Sequence, residues 1–137
     1  MRKLDWEKLR EATDILVKSL RRVVVVILFG SRARGDWGPW SDYDILIVAD
    51  FEEPYLDRLR KVLEILSTIP LPIEPHPYTL KEAIEMLRRG SLTIIDALEE
   101  GIVLYRGEGF EILVNEYEKL KKAGLRKSYT SIVLPRS

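Results

Sequence analysis

Residues Leu28–Val48 read LFGSRARGDWGPWSDYDILIV. A hydrophobic run ends in Gly30-Ser31. A loop with two arginines, two tryptophans and a proline follows, and Asp42 and Asp44 then open a second hydrophobic run. The runs on either side, Val23–Phe29 and Ile45–Val48, have no polar face, so each predicts a strand buried on both sides of a sheet. Residues i and i+2 of a strand share a face, which sets Asp42 and Asp44 side by side, roughly 6–7 Å apart along the chain. Two carboxylates that close beside a buried region repel each other. One must take up a proton unless a cation sits between them. Hard oxygen donors of this kind favour Mg²⁺ or Mn²⁺.

An isolated D-x-D pair also has a plainer reading, in which Asp42 caps a turn after Ser41 and Asp44 is partly solvated. Gly30 and Ser31 shift the balance. A glycine ending a buried strand lets backbone approach a ligand closely, and Ser31 adds a hydroxyl donor. Arg32 and Arg34 add positive charge, and Gly35 lets the loop turn back. This is the composition of a phosphate cradle, although the G-K-[ST] ending of a Walker A loop is missing.

Working outward, Leu9, Ala12, Leu16 and Leu20 recur at helical spacing over Asp5–Arg21, with Asp5 as N-cap. Asp50 and Glu53 resemble a capping box for a second helix, with Leu56, Leu59, Leu63 and Leu66 as its apolar stripe and an end near Thr68. The stretch Leu71–Tyr78, LPIEPHPY, is predicted extended, and its alternating prolines suit an edge strand. Thr79 and Glu82 form another capping box, for a helix to about Arg89. A further helix is expected between Ser91 and Gly101, a short strand over Ile102–Tyr105, and a last helix on Phe110, Leu113, Tyr117 and Leu120 that stops near Gly124. The tail is expected to be a small strand or loose. This order predicts an α/β (α+β) fold, a small mixed sheet flanked by helices, as one domain over 1–137, with its core at about 5–105 and a C-terminal helix and tail at 109–137.

The whole chain bounds the function. Its 137 residues hold 22 Lys+Arg and 22 Asp+Glu, so the net charge is zero, where a protein gripping nucleic-acid backbone usually carries a basic excess. Direct nucleic-acid binding is therefore not expected. There is no cysteine, which excludes disulfides and thiolate metal sites. The charged N-terminus has no apolar core for a signal peptide, and no apolar run approaches the roughly 20 residues a membrane span needs. The expected location is cytoplasmic.

GSRARGDWGPWSDYDILIV resembles the signature of the polymerase-β-like nucleotidyltransferases: G-S, then R-G, then S-D-x-D and a hydrophobic run. Gly30, Ser31, Arg34, Gly35, Ser41, Asp42 and Asp44 fill its positions. Within that superfamily the chain is most similar to the minimal nucleotidyltransferases, single-domain proteins of the type that act as antitoxin partners of HEPN proteins. The resemblance implies catalytic and metal-binding roles for Asp42 and Asp44, nucleotide contacts at Gly30, Ser31, Arg34, Gly35 and Ser41, and two Mg²⁺ ions, with Mn²⁺ as an alternative. It also implies an NTP donor, ATP by analogy, and an acceptor hydroxyl such as a tyrosine of a HEPN-type partner. The family adds a third carboxylate on a later strand, for which Glu74 is the candidate, with Glu in place of the usual Asp. Glu74, His76 and Tyr78 share one face of their strand. His76 is read as polar surface, with metal binding or proton transfer as the alternative. Arg34 contacts phosphate or holds the loop by pairing with Asp36, and Arg32 sits at a variable position. One of Trp37 and Trp40 is expected to pack the loop onto the sheet. The rival reading is a module that neutralises a partner by contact alone. A nucleic-acid terminal transferase fits less well, for want of room and positive charge.

Overall fold

The structure is a computed structural model and describes residues 3–127 and 132–135. Its centre is a four-stranded mixed sheet in the order β3-β2-β1-β4. Helix α1 (Trp6–Ser19) is capped by Asp5, whose side chain accepts from the Lys8 N–H. It leads into β1 (Arg21–Phe29), from which the chain turns through one short helix, α2 (Ser31–Arg34), and a loop into β2 (Tyr43–Asp50). Strands β1 and β2 are antiparallel, with Phe29 opposite Asp44. Helix α3 (Tyr55–Ile65) and a 3₁₀ turn (Leu66–Thr68) then cross to β3 (Ile73–Tyr78), which lies parallel to β2 at the edge of the sheet. Helices α4 (Leu80–Arg88) and α5 (Leu92–Glu100) precede β4 (Ile102–Arg106), the opposite edge, and α6 (Phe110–Lys122) follows. In the tail, β5 (Arg126–Lys127) and β6 (Ile132–Val133) form a small antiparallel pair; residues 128–131 and 136–137 of the expected tail lie outside the described residues.

The two unbroken hydrophobic runs are explained by helices on both faces. Val26, Leu28, Ile45 and Ile47 pack with Leu9, Ala12 and Leu16 of α1 and Val62 of α3. Val25, Ile27, Leu46 and Val48 pack with Leu87, Ile94, Ile95 and Leu113 of α4, α5 and α6. Strand pairing alternates these sets from face to face. The predicted α/β layering and the edge position of β3 are both present. Among the described residues, no helix is long and apolar enough to cross a membrane.

Two expectations are corrected around α3. The Asp50–Glu53 capping box does not form. Asp50 stays in the ladder opposite Arg21, and the helix begins at Tyr55 after Pro54, whose φ of −59° is already helical. The leucine stripe reaches the core only at Leu66, and Leu59 is half-buried. Leu56 is 73% exposed and Leu63 47%, whereas Arg58, Val62 and Leu66 are buried. The later start turns the helix so that Arg58 points inward, where its polar atoms are satisfied. Its Nε and Nη2 donate to the Glu53 carbonyl at 3.3 and 2.9 Å, and its Nη1 to the Pro77 carbonyl at 3.4 Å and to Glu82 Oε1 at 2.5 Å. The guanidinium also lies 5.1 Å from the Phe51 ring centroid.

The Thr79–Glu82 capping box is present in full, so Glu82 serves both the α4 N-terminus and Arg58. Burial alone would push the Glu82 carboxyl up, but the Thr79 N–H and Arg58 hold it below the ordinary value of 4.5. A carboxylate with a lowered folded pKa stabilises above its unfolded value, and that contribution is lost as pH falls through the folded one. Arg58→Met is expected to lower unfolding free energy by about 2–3 kcal/mol in urea denaturation at pH 7, because it strands two buried carbonyls and a carboxylate. The deficit relative to wild type should shrink as the pH is taken below the carboxylate range.

Candidate active site

The site lies where β1, β2 and β3 end side by side. Asp44 stands opposite Phe29 on one neighbour and Glu74 on the other. By strand alternation Asp44 shares the face of Leu46 and Val48. The parallel register puts Glu74 next to Asp44, and His76 next to Leu46, on that same face. His76 Nε2 lies 3.2 Å from Asp44 Oδ1, and the His76 ring meets Phe29 edge-on with centroids 5.0 Å apart. One donor atom each of Asp44, Glu74 and His76 lie within 4.8 Å of one another. Asp42 is exposed and precedes β2. It borders the same hollow of about 350 Å³ that Tyr55, Leu59, Leu63, Ile73, Glu74 and His76 line.

A hydrogen bond with Asp44 pushes the Glu74 carboxyl above its ordinary value; burial and the Asp44 charge add to the effect, His76 opposes it, and Asp42 adds a smaller push. This is the repulsion expected of clustered carboxylates. The donor set fits a divalent cation because its three ligand atoms lie within 4.8 Å of one another and an ion among them would offset the clustered negative charge.

Gly30 shapes the other wall. It has φ +75° and ψ −157°, a conformation open almost only to glycine, and a Cβ there would lie 2.5 Å from Asp44 Oδ2. One Asp44 oxygen therefore faces the Gly30 backbone and the other faces His76. Ser31 starts α2, and Gly35 ends it at φ +89°.

The loop back to Asp42 is held by Arg32, which is buried. Its Nε and Nη2 both donate to the Ser41 carbonyl, at 3.1 and 2.7 Å, and its guanidinium lies 4.3 Å from the Tyr43 ring centroid and 5.2 Å from that of Trp37. Ser41 Oγ accepts from the Gly38 N–H at 3.0 Å. Arg34 pairs with Asp36 at 3.4 Å and Glu100 at 3.7 Å, tying the loop to α5. Trp37 thus packs against a loop clamp, whereas Trp40 is 85% exposed. From the sequence, Arg32 sits at a variable position, and His76 reads as polar surface with metal binding or proton transfer as the alternative. The i+2 spacing of His76 from Glu74 was the signal that set it in the cluster; nothing local marked Arg32 as the clamp.

Parallel β2–β3 pairing, a Gly-Ser turn and converging carboxylates define a nucleotide-handling α/β enzyme. Comparison with known proteins agrees. Residues 8–104 match the family described as nucleotidyltransferase domain. A Methanocaldococcus jannaschii protein carrying the provisional name protein adenylyltransferase is 35% identical over 100 residues, 71% of this chain and 94% of that protein. Similar solved structures include a toxin–antitoxin complex with AMP-PNP, with TM-score 0.57, 17% identity and coverage of 85% of this chain and 83% of that one. Another is a complex of tri-AMPylated Shewanella oneidensis HEPN toxin with MNT antitoxin, with TM-score 0.53, 13% identity and coverage of 85% and 88%. The chain belongs to the nucleotidyltransferase domain family and is an enzyme of that family.

Two outcomes follow from the geometry. Gly30→Ala is expected to lose about 1–3 kcal/mol in urea unfolding, because the backbone is strained and Asp44 is displaced. Glu74→Gln is expected to raise the thermal unfolding midpoint at pH 7. A carboxyl with a raised folded pKa weakens the fold once pH exceeds that pKa, and the amide removes this loss. The gain should vanish near pH 4, which a calorimetric pH series would test.

Proposed function

We propose that this chain transfers the nucleotidyl group of an NTP, ATP by analogy with its relatives, to a hydroxyl of a partner protein. The acceptor is a tyrosine of a HEPN-type toxin, which makes the chain an antitoxin. The observation that carries the reading is the convergence of Asp44 and Glu74 in adjacent strands against the Gly30 backbone. The protein adenylyltransferase relative and the AMPylated HEPN complex favour AMP and a protein acceptor.

In this reading Asp42, Asp44 and Glu74 hold Mg²⁺, two ions in the full set, with Mn²⁺ as an alternative. When bound, the metal lowers the pKa of the acceptor hydroxyl and offsets triphosphate charge. Gly30, Ser31, Arg34, Gly35 and Ser41 form the phosphate side: Gly30 gives close backbone approach, Ser31 a hydroxyl, and Arg34, Gly35 and Ser41 hold the loop's shape. The acceptor enters from the β3 side, through the hollow beside Asp42 and Glu74. Its oxygen attacks the α-phosphorus in line, the bond to the bridging oxygen of the β-phosphate breaks, and pyrophosphate leaves toward Gly30. Glu74, on the acceptor side, takes the hydroxyl proton. The whole chain acts as one nucleotidyltransferase domain.

A second reading, neutralisation by contact, draws support from the exposed Leu63 lining the hollow and the exposed Trp40 on the loop before Asp42. Mass spectrometry of a co-expressed HEPN partner separates the two. Wild type is expected to add AMP to the partner, and Asp42→Asn to cut that transfer by at least about 10²–10³-fold with the same circular dichroism and melting temperature. Equal protection of the partner by wild type and Asp42→Asn would favour the contact module.

A further inference from the structure

We propose that His76 is a nitrogen ligand of the divalent-ion site formed with Asp44 and Glu74, and that it biases this site toward Mn²⁺ over Mg²⁺. The inference rests on the nucleotidyl-transfer reading of the site and adds a residue outside the family's signature.

The geometry is that of a coordination shell. Two adjacent ligands of an octahedral ion held at about 2.1 Å stand about 3 Å apart, and opposite ligands about 4.2 Å. His76 Nε2 is 3.2 Å from Asp44 Oδ1, and the Asp44, Glu74 and His76 donor atoms all fall within 4.8 Å of one another. One ion can therefore meet all three with small adjustments. The strand sets this up: residues 74 and 76 of β3 share a face, and the Phe29 edge contact fixes the imidazole plane. Gly30 occupies the other side of Asp44, which leaves Oδ1 for the His76 side.

The alternative account of the 3.2 Å contact is a hydrogen bond that only orients Asp44. The two differ in metal chemistry. Carboxylate-only sites suit Mg²⁺, whereas imidazole raises affinity for first-row transition ions. A positioning histidine would affect both ions alike. A ligand histidine favours Mn²⁺ selectively.

The test uses Mn²⁺ alone as the probe on the wild-type protein. Electron spin echo modulation of bound Mn²⁺ is expected to show ¹⁴N coupling that changes when histidine is ¹⁵N-labelled. His76→Gln keeps a hydrogen-bond donor for Asp44 but removes the imidazole. Titrations followed by the free Mn²⁺ signal, with Mg²⁺ as competitor, are expected to show the ratio of Mn²⁺ to Mg²⁺ affinity falling about tenfold or more in His76→Gln. Absent nitrogen coupling, or an unchanged affinity ratio, overturns the assignment. If that happens while Asp44→Asn still abolishes Mn²⁺ binding, His76 alone is wrong and the proposed function stands. If Asp44→Asn binds Mn²⁺ as wild type does, the metal reading of the site falls, and His76 with it.

Discussion

The structure turns on a clash the fold sustains rather than relieves. Asp44 is pressed between the backbone of Gly30, just past β1, and a second acidic strand end on β3. Like charges beside a buried region would ordinarily separate or be replaced. Here they are fixed by two ladders at once, the antiparallel one that faces Asp44 with Phe29 and the parallel one that faces it with Glu74. Their backbone positions cannot separate without slipping a strand, and a one-residue slip would turn Ile45 and Ile47 out of the core. Core burial therefore holds the acidic pair together, and the pair's raised carboxyl is the electrostatic mark of that constraint.

Two buried arginines keep the register from drifting. Arg58 reaches from α3 to the carbonyl of Pro77 on β3 and to Glu82 at the start of α4, so the crossover, the edge strand and the next helix share one polar knot. Arg32 does the same for the loop, with two donors on the Ser41 carbonyl and its plane against Tyr43. Tyr43 extends the chain of contacts, since its hydroxyl accepts from the Asp5 N–H at the first turn of α1. Arg32 is satisfied by a carbonyl and aromatic faces, Arg58 by carbonyls, the Glu82 carboxylate and aromatic faces, and no buried side-chain polar atom among the described residues lacks a partner.

Much of this was legible in the sequence because the strongest signals are local. Val23–Phe29 and Ile45–Val48 lack a polar face, and only a sheet covered on both sides satisfies that. The Thr79–Glu82 box, the Asp5 cap and the Gly-Ser turn are short-range grammar with one reading each. The failures were tertiary. Leu56 and Leu63 have helical spacing but face outward, because the face of α3 that meets the sheet is chosen by where the helix starts and by what Arg58 can reach. The Asp50–Glu53 pattern was real grammar outcompeted by a β-ladder. The roles of Arg32 and His76 depend on Ser41, Tyr43 and Asp44, which only the folded chain brings to them.

The prolines of β3 explain why the third acidic position sits where it does. Neither Pro75 nor Pro77 has an N–H, so neither can donate to β2, and both must turn their backbone toward the open edge. The intervening residues Glu74, His76 and Tyr78 then have to supply the ladder to β2. That assignment fixes the faces as well: the prolines are buried while Glu74 and His76 stand on the Asp44 side. The outward Pro77 carbonyl is the one Arg58 captures, which removes an acceptor from the edge as the prolines remove donors. A single alternation of proline and polar residue thus blocks strand addition, anchors α3 and orients the acidic side chain.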